Sequence, residues 1–339
     1  MRIAVCRPQV PFARGGAEIF TDELVRRLTE RGHEAEIVSV PFKWYPGTRV
    51  LDQAFLWRLV DLTEADGRPV DRVIATKFPA YCVRHPNKVV WVLHQFRQAY
   101  DYDGTELGQF SDAPEDRATR RAVERLDAVA LGEAKRVFAT SRNVADRLQR
   151  FNGIAAEILP HPPQSLGYRS AEPEGYVLSV NRLDRAKRID LLIDAVRRQP
   201  GLRAVIAGEG PDRDRLEQLA AGLNGQVEFA GRVDSERLAD LYARCSAVYY
   251  APIDEDFGMV PYEAFLSGKP VITTTDAGGP LEVVADRRTG LVCEPRADAL
   301  AAACAWLREH MDDARAWGRA GKELAQRVSW DAAIERLLA

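Results

Sequence analysis

"YAPIDEDFGMVPYEAFLSGKPVITTTDAGGP", residues 250–280, holds one full step of a parallel sheet. The apolar run "AVYYAP" at 247 reads as a strand, a loop carrying Glu255 and Gly258 follows it, and a helical stretch carrying Glu263 leads to a second strand, "KPVITTT" at 269. Two β-branched runs joined through a helix imply parallel strands, because a parallel pair needs a crossover connection. The two glutamates are separated by seven residues, one on a loop after a strand and the other inside the next helix.

The same alternation extends in both directions. "YVLSV" at 176, "LRAVIAG" at 202 and "QVEFAG" at 226 precede the stretch, and "GLVCEP" at 290 follows it. Leu216 and Leu219, then Leu238, Leu241 and Tyr242, recur at helical spacing and supply covering helices. An earlier series runs through "IAVC" at 3, "AEIVSV" at 35, "RVIAT" at 72, "KVVWVL" at 88, "RVFAT" at 136 and "AEIL" at 156. The proline-rich segment "LPHPPQSLGYRSAEPEG", residues 159–175, separates the two series and reads as a linker. The expected fold class is therefore α/β, with two Rossmann-like doubly wound domains at 1–165 and 166–339. Ligands of such sheets bind beyond the carboxyl ends of the strands, so two domains facing each other are expected to place the functional residues after strands, in a central cleft.

Composition narrows the function classes. The chain has 339 residues, 46% hydrophobic and 29% charged, enough for two domains with their own cores. A net charge of −3 argues against a nucleic-acid binder that relies on a broad basic surface. The five cysteines, Cys6, Cys82, Cys245, Cys293 and Cys304, are scattered without a Cys-x-x-Cys pair, which suggests neither a disulfide framework nor a zinc site and fits a reducing cytoplasm. The opening "MRIAVCRPQVPF" is too short an apolar run for a signal peptide, and no stretch reaches the about 18 apolar residues of a membrane span, so any membrane contact is expected to be peripheral.

Three motifs carry chemistry. Gly15 and Gly16 precede a helix bearing Phe20, Leu24 and Leu28, and free amides at such a start suit a pyrophosphate; a flexible loop with two turn glycines is the plainer alternative. The spacing is not the Gly-x-Gly-x-x-Gly of a dinucleotide site, and "AGEGPDRD" at 207–214 also lacks the third glycine, which disfavours a nicotinamide dehydrogenase. In "SVNRLDRAKRIDLLIDAV", Arg182 and Lys187 follow the first strand of the second domain, where two cations would neutralise a diphosphate; Arg185, Lys187 and Arg188 equally fit a solvated charge run. In the opening stretch, Glu263 is placed to accept from a ribose diol and Glu255 from a sugar hydroxyl, with "DFGMVP" supplying amides near a helix start; a helix dipole favoured by Asp254, Glu255 and Asp256 is the bland alternative.

As an ordered set the motifs resemble the retaining glycosyltransferases of family four, which have the GT-B fold. The resemblance covers nearly the whole chain: "GGAE" at 15, Arg182 to Lys187, "AGEGP" at 207, "FAGRV" at 229, "EDFGMVPYEA" at 255 and "GGPLEVV" at 278. It implies that Gly15 and Gly16 approach the donor's diphosphate, that Arg182 and Lys187 bind the same group, that Glu255 contacts the transferred sugar and that Glu263 holds the ribose. The amides of Phe257, Gly258, Met259 and Val260 would help to seat sugar and phosphate, and Arg232 and Val233 would lie near the base. His94 stands where the family commonly has a histidine near the donor sugar, placed to position a hydroxyl or offer its carbonyl. Ser141 and Arg142 follow another strand, and helix capping alone explains Ser141.

The implied activity is transfer of a hexose from a UDP- or GDP-linked donor to a hydroxyl of a glycan or lipid-linked glycan, with retention and no cofactor. The Asp-x-Asp patterns at 101, 212 and 254 match a metal-binding pattern only by chance, and the cation pair replaces a metal. Alternatives are a sugar-nucleotide 2-epimerase of the same fold and a non-catalytic sugar-nucleotide sensor. "FKWYPGTRVLDQAFLWRLVDL", residues 42–62, is read as an acceptor groove or lipid contact, or more plainly as Phe55, Leu56 and Leu59 packing a helix onto its own sheet. "KFPAY" at 77 and "RHPNKVVW" at 84 resemble members that build surface polysaccharides. The closing "SWDAAIERLLA" leads us to expect that the final helix that crosses back to the first domain is short or partly absent.

Overall fold

The computed structural model describes residues 1–164, 166–223 and 225–339. They form two compact units, Met1–Pro162 with Ser329–Ala339, and Pro163–Val328. Every apolar run named above forms a strand, in the expected order.

The first unit runs β1 (Arg2–Gln9), α1 (Gly16–Glu30), β2 (Glu34–Pro41), α2 (Val50–Leu59), a two-residue hairpin of β3 (Glu64–Ala65) and β4 (Arg68–Pro69), β5 (Arg72–Ala75), β6 (Lys88–Val92), α3 (Pro114–Gly132), β7 (Arg136–Ala139), α4 (Arg142–Asn152) and β8 (Glu157–Ile158). Its main sheet has the order β2-β1-β5-β6-β7-β8, with every pair parallel. The central strands β5 and β6 are buried along their whole length, which is why they read as unbroken apolar runs.

The second unit runs β9 (Tyr176–Val180), α5 (Ile189–Arg198), β10 (Arg203–Ala207), α6 (Arg213–Ala220), β11 (Val227–Gly231), α7 (Ser235–Arg244), β12 (Ala247–Tyr249), α8 (Met259–Leu266), β13 (Val271–Thr274), β14 (Gly290–Cys293), α9 (Ala297–Glu309) and α10 (Met311–Ala325). Its parallel sheet has the order β11-β10-β9-β12-β13-β14. The chain builds outward from β9 in one direction, then returns and builds outward from β12 in the other. Loops leaving β9 and β12 therefore diverge, and the gap between them is the ligand position of a doubly wound sheet.

Two boundaries differ from the expected division. The last helix, α11 (Trp330–Leu338), belongs to the first unit, so the second unit does not extend to residue 339. The helix carries Trp330, Ala333, Ile334 and Leu337 on one buried face. That face finds its apolar partner on α1, with Trp330 stacked on Phe20 at 5.8 Å and Ile334 and Leu337 fully buried in the same core as Leu24 and Leu28. Arg136 then donates to the Arg336 carbonyl at 2.8 Å and Arg336 to that of Ile158 at 2.8 Å, which fixes the helix end. The stretch read as a linker is also part of the second unit from Pro163 onward: Ala171 donates to the Ala243 carbonyl at 3.0 Å and Glu174 to that of Arg244 at 2.8 Å.

α2 turns the other way from the plainer expectation. Val50, Ala54 and Trp57 are buried, whereas Phe55, Leu56 and Leu59 are 57%, 49% and 81% exposed. A ten-residue helix with apolar side chains on every side has no period that names its inner face, and burying the indole of Trp57 removes the largest apolar surface from water. No helix of the described residues is long and apolar enough to cross a membrane.

Candidate functional site

The site of the second unit starts from the loop after β9. Leu183 donates to the Glu209 carbonyl at 2.9 Å and Asp212 to the Leu183 carbonyl at 3.1 Å, so this loop lies against "AGEGP" backbone to backbone. A Cβ on Gly208 would stand 1.8 Å from the Asn181 oxygen and one on Gly210 would stand 2.2 Å from the Leu183 oxygen. These glycines are required by close approach, and they fix the path of the loop that carries Arg182 and Lys187.

Arg188 ties that loop to its neighbours. Its guanidinium donates to the Ala251 carbonyl at 2.8 Å, the Pro252 carbonyl at 3.0 Å and the Thr274 hydroxyl at 2.7 Å, and pairs with Asp276 at 2.7 Å. Tyr249 donates in turn to the Arg188 carbonyl at 2.7 Å, and the Ile253 amide to that of Ala186 at 2.8 Å. The loops leaving β9, β12 and β13 thus meet at one planar, multiply donating group. Sequence reasoning missed this residue, because in "RAKR" nothing separates a buried arginine from a solvated one.

Lys187, next to it, forms an ion pair with Glu255, and each side chain is 20% exposed. Burial opposes the lysine charge, yet Glu255 beside it, with Asp184 and Asp256, holds its pKa above the ordinary value. Burial pushes the Asp184 carboxyl up, with Lys187 and Arg182 pulling against it, and Oδ1 of Asp184 has no hydrogen-bond partner. Arg182 lies at the edge of this cluster, 67% exposed, with Nε 4.0 Å from Asp184. Of the two expected cations, Lys187 is therefore the one in contact with Glu255.

The backbone of Glu255 is pinned on both sides: its amide donates to the Ala277 carbonyl at 2.8 Å and its carbonyl accepts from Gly279 at 2.8 Å. A Cβ on Gly279 would lie 2.6 Å from the Asp256 oxygen, which accounts for a glycine there. Gly258, with φ 81°, makes the turn into α8, and a Cβ on it would meet Pro280 and Tyr250 at 2.9 Å. Phe257 stacks on Tyr262 at 5.0 Å, Met259 opens the helix and Val260 is buried, so the amides of this run are held at the start of α8.

Glu263 follows one turn into the helix. Tyr242 of α7 donates to its Oε2 at 2.6 Å. Burial pushes its pKa up, and Tyr242 and Tyr168 pull part of that rise back. Of the two glutamates of the opening stretch, Glu255 pairs with a cation, and Glu263 accepts from the Tyr242 phenol. Of the residues expected near a base, Arg232 is exposed and Val233 is partly buried, just past the end of β11.

In the first unit the start of α1 departs from the expectation of free amides. Oε2 of Glu18 accepts from the Gly15 amide at 2.8 Å, so that donor is already engaged, and Lys77 approaches the other oxygen of Glu18 at 3.7 Å. The reason is local: a glutamate three residues after the first cap position reaches back to it. Gly16 remains open, with nothing within 4 Å of where a Cβ would stand. His94 follows β6, and its Nδ1 lies 2.7 Å from the Gln95 carbonyl, which can only accept, so the proton sits on Nδ1. Ser141 caps α4, accepting from Val144 at 3.0 Å, and Arg142 is the first residue of that helix.

Of the Asp-x-Asp patterns, Asp101 pairs with Arg97, Asp103 with Arg120 and Asp212 with Arg215. No group of three or more His, Cys, Asp or Glu side chains among the described residues could hold a metal ion.

The architecture is that of a GT-B protein, and the comparisons agree. A sucrose-phosphate synthase from Thermosynechococcus elongatus superposes with a TM-score of 0.79 at 19% identity, covering 99% of this chain and 97% of that one. Anabaena HepE in complex with UDP-glucose superposes with a TM-score of 0.74 at 18% identity, covering 100% and 98%. Residues 167–324, within the second unit, match the family described as glycosyl transferases group 1. A D-inositol 3-phosphate glycosyltransferase of Mycobacteroides abscessus is 31% identical over 61% of this chain, which spans about half, 51%, of that relative.

Proposed function

We propose that the chain is a retaining glycosyltransferase that moves a hexose from a UDP- or GDP-linked sugar to an acceptor hydroxyl, with no metal ion or other cofactor. The reading is carried by the Lys187–Glu255 pair, held partly buried where the order of the second sheet reverses. Burying an ion pair at a crevice costs desolvation energy that a fold has little reason to spend on stability alone. Lys187 and Arg182 would take the donor diphosphate, Glu255 a hydroxyl of the sugar and Glu263 the ribose diol. The amides from Phe257 to Val260 would face the sugar and phosphate, and Arg232 and Val233 the base. At the start of α1, Gly16, open to close approach, is assigned to the diphosphate, and Gly15, its amide held by Glu18, is assigned only the turn beside it. His94, whose Nδ1 donates to the Gln95 carbonyl, is assigned to a sugar hydroxyl.

In the reaction so assigned, the bond from the anomeric carbon to the diphosphate breaks and one to the acceptor oxygen forms on the same face. The departing diphosphate takes the acceptor's proton. Lys187 and Arg182 stabilise the charge that grows on that leaving group, and no carboxylate acts as nucleophile.

The UDP-glucose complex of HepE supports a nucleotide-sugar donor, and the relative from Mycobacteroides, named as a glycosyltransferase, supports glycosyl transfer. For the acceptor, exposed Phe55, Leu56 and Leu59 on α2, with half-exposed Tyr45 nearby in sequence, favour a lipid-linked glycan met at a membrane surface. The test is a panel of UDP- and GDP-sugars with lipid-linked and free glycan acceptors, in EDTA, reading nucleoside diphosphate release and the anomer of the product. Acceptor-dependent release with the donor's anomeric configuration is expected. Sugar epimerisation, an inverted product, or turnover that requires added Mg²⁺ or Mn²⁺ would overturn the assignment.

A further inference from the structure

We infer that Tyr242 and Tyr168 are positioning residues that hold the Glu263 carboxylate in the orientation a ribose diol requires; the inference rests on the assignment of Glu263 to the ribose. A glutamate on a helix has three side-chain torsions, and a ligand that binds it must freeze them unless the protein has done so already.

Tyr242 does so here. It is fully buried in α7, its ring stands edge-on to that of Tyr168 at 5.9 Å and 79°, and its hydroxyl donates to Oε2 of Glu263 at 2.6 Å. That is a short, charge-assisted bond from a side chain with no room to turn. Tyr168 comes from the segment before β9. Its hydroxyl is buried, and it helps to hold down the pKa of Glu263 without completing a hydrogen bond of standard geometry.

The lone pairs left over match the ligand. An ionised carboxylate accepts at about four positions, and Tyr242 uses one on Oε2. Both positions on Oε1 and one on Oε2 remain, enough for the two donors of a vicinal diol. Burial alone would favour the protonated acid, which offers fewer acceptors, and the phenols counter it. The segment that reads as a linker in the sequence therefore supplies part of the nucleotide site's support.

The test measures Kd by calorimetry for UDP and 2′-deoxy-UDP, and for GDP and 2′-deoxy-GDP, on the full chain and its Tyr242→Phe, Tyr168→Phe and Glu263→Gln variants, with Tm as the check on folding. The wild type should prefer the ribose form of its nucleotide by about tenfold or more, the size of one charge-assisted hydrogen bond. Tyr242→Phe should weaken that form about tenfold and leave the deoxy form nearly unchanged, so that the preference collapses, and Tyr168→Phe should move it less in the same direction. Wild-type preference in Tyr242→Phe, with or without a fall in Tm, overturns the positioning role and leaves the ribose assignment standing. A wild type that binds neither ribonucleotide or shows no preference, or a Glu263→Gln variant that keeps the wild-type preference, overturns the ribose assignment and this inference with it.

Discussion

Lys187 and Glu255 close an ion pair across the point where the second sheet reverses its strand order, one from the turn after β9 and the other from the loop after β12. The residue next in sequence, Arg188, spans the same loops through the carbonyls of Ala251 and Pro252. In the proposed reading Arg188 holds the loops and Lys187 meets the ligand, and substitutions should separate the two tasks.

Lys187→Ala should lower turnover by about two to three orders of magnitude, the usual loss when one stabiliser of leaving-group charge is removed. Arg188→Ala should lower Tm as well, because it leaves the Ala251 and Pro252 carbonyls without their donor. Steady-state kinetics and thermal melts of both variants check this. A fully active Lys187→Ala enzyme would remove the basis for the assigned mechanism.

Gly258→Ala should cost at least about 2 kcal/mol of stability, since alanine at φ 81° is strained and its methyl would press on Pro280 and Tyr250. Urea unfolding measures it. Gly16→Ala, where a Cβ meets nothing within 4 Å, should leave stability unchanged while weakening donor binding.

Donor affinity should fall on the acid side at a higher pH than an ordinary carboxylate would give. Burial raises the pKa of Glu263, and in the proposed role only its ionised form would accept from both ribose hydroxyls, so affinity is present above that pKa and is lost as pH drops through it. The pH profile of donor KM is the readout, and Glu263→Ala should raise KM at every pH with kcat less affected.

Asp127, fully buried in α3, accepts from Tyr100 at 2.8 Å, and burial pushes its pKa from 3.8 up to about 7. The folded chain then keeps a proton that the unfolded chain releases. The sign is fixed: stability is greatest below the unfolded value and declines as pH rises from about 4 through about 7. Asp127→Asn should flatten that decline. Melts at pH 5 and pH 8 should show a larger fall in Tm for the wild type than for the variant.

Replacing Phe55, Leu56 and Leu59 together by serine should leave Tm nearly unchanged, because exposed positions contribute within about 0.5 kcal/mol each. The same change should reduce co-sedimentation with lipid vesicles and turnover of a lipid-linked acceptor, with a water-soluble acceptor used as before. A large loss of stability would instead place these side chains in a core.

The sequence by itself determined the strands, their parallel sense and their grouping into two sheets, because short buried β-branched runs between helices leave a local pattern with few readings. It also marked Lys187, Glu255, Gly258 and Glu263, since each follows a strand where a doubly wound sheet binds its ligand. The inner face of α2 had no such signal, because apolar side chains surround it and only the fit of Trp57 into the core selects one side. Arg188, the Glu18 carboxylate on the Gly15 amide, the Tyr242 bond to Glu263 and the docking of α11 on α1 were decided by tertiary structure alone. Arg188, Tyr242 and α11 meet partners far along the chain; for Glu18 the spacing permitted the reach, and the folded loop determined that the amide was taken. Propensity and period describe a residue's neighbours in sequence, whereas burial and hydrogen-bond partners depend on which surfaces the fold brings together.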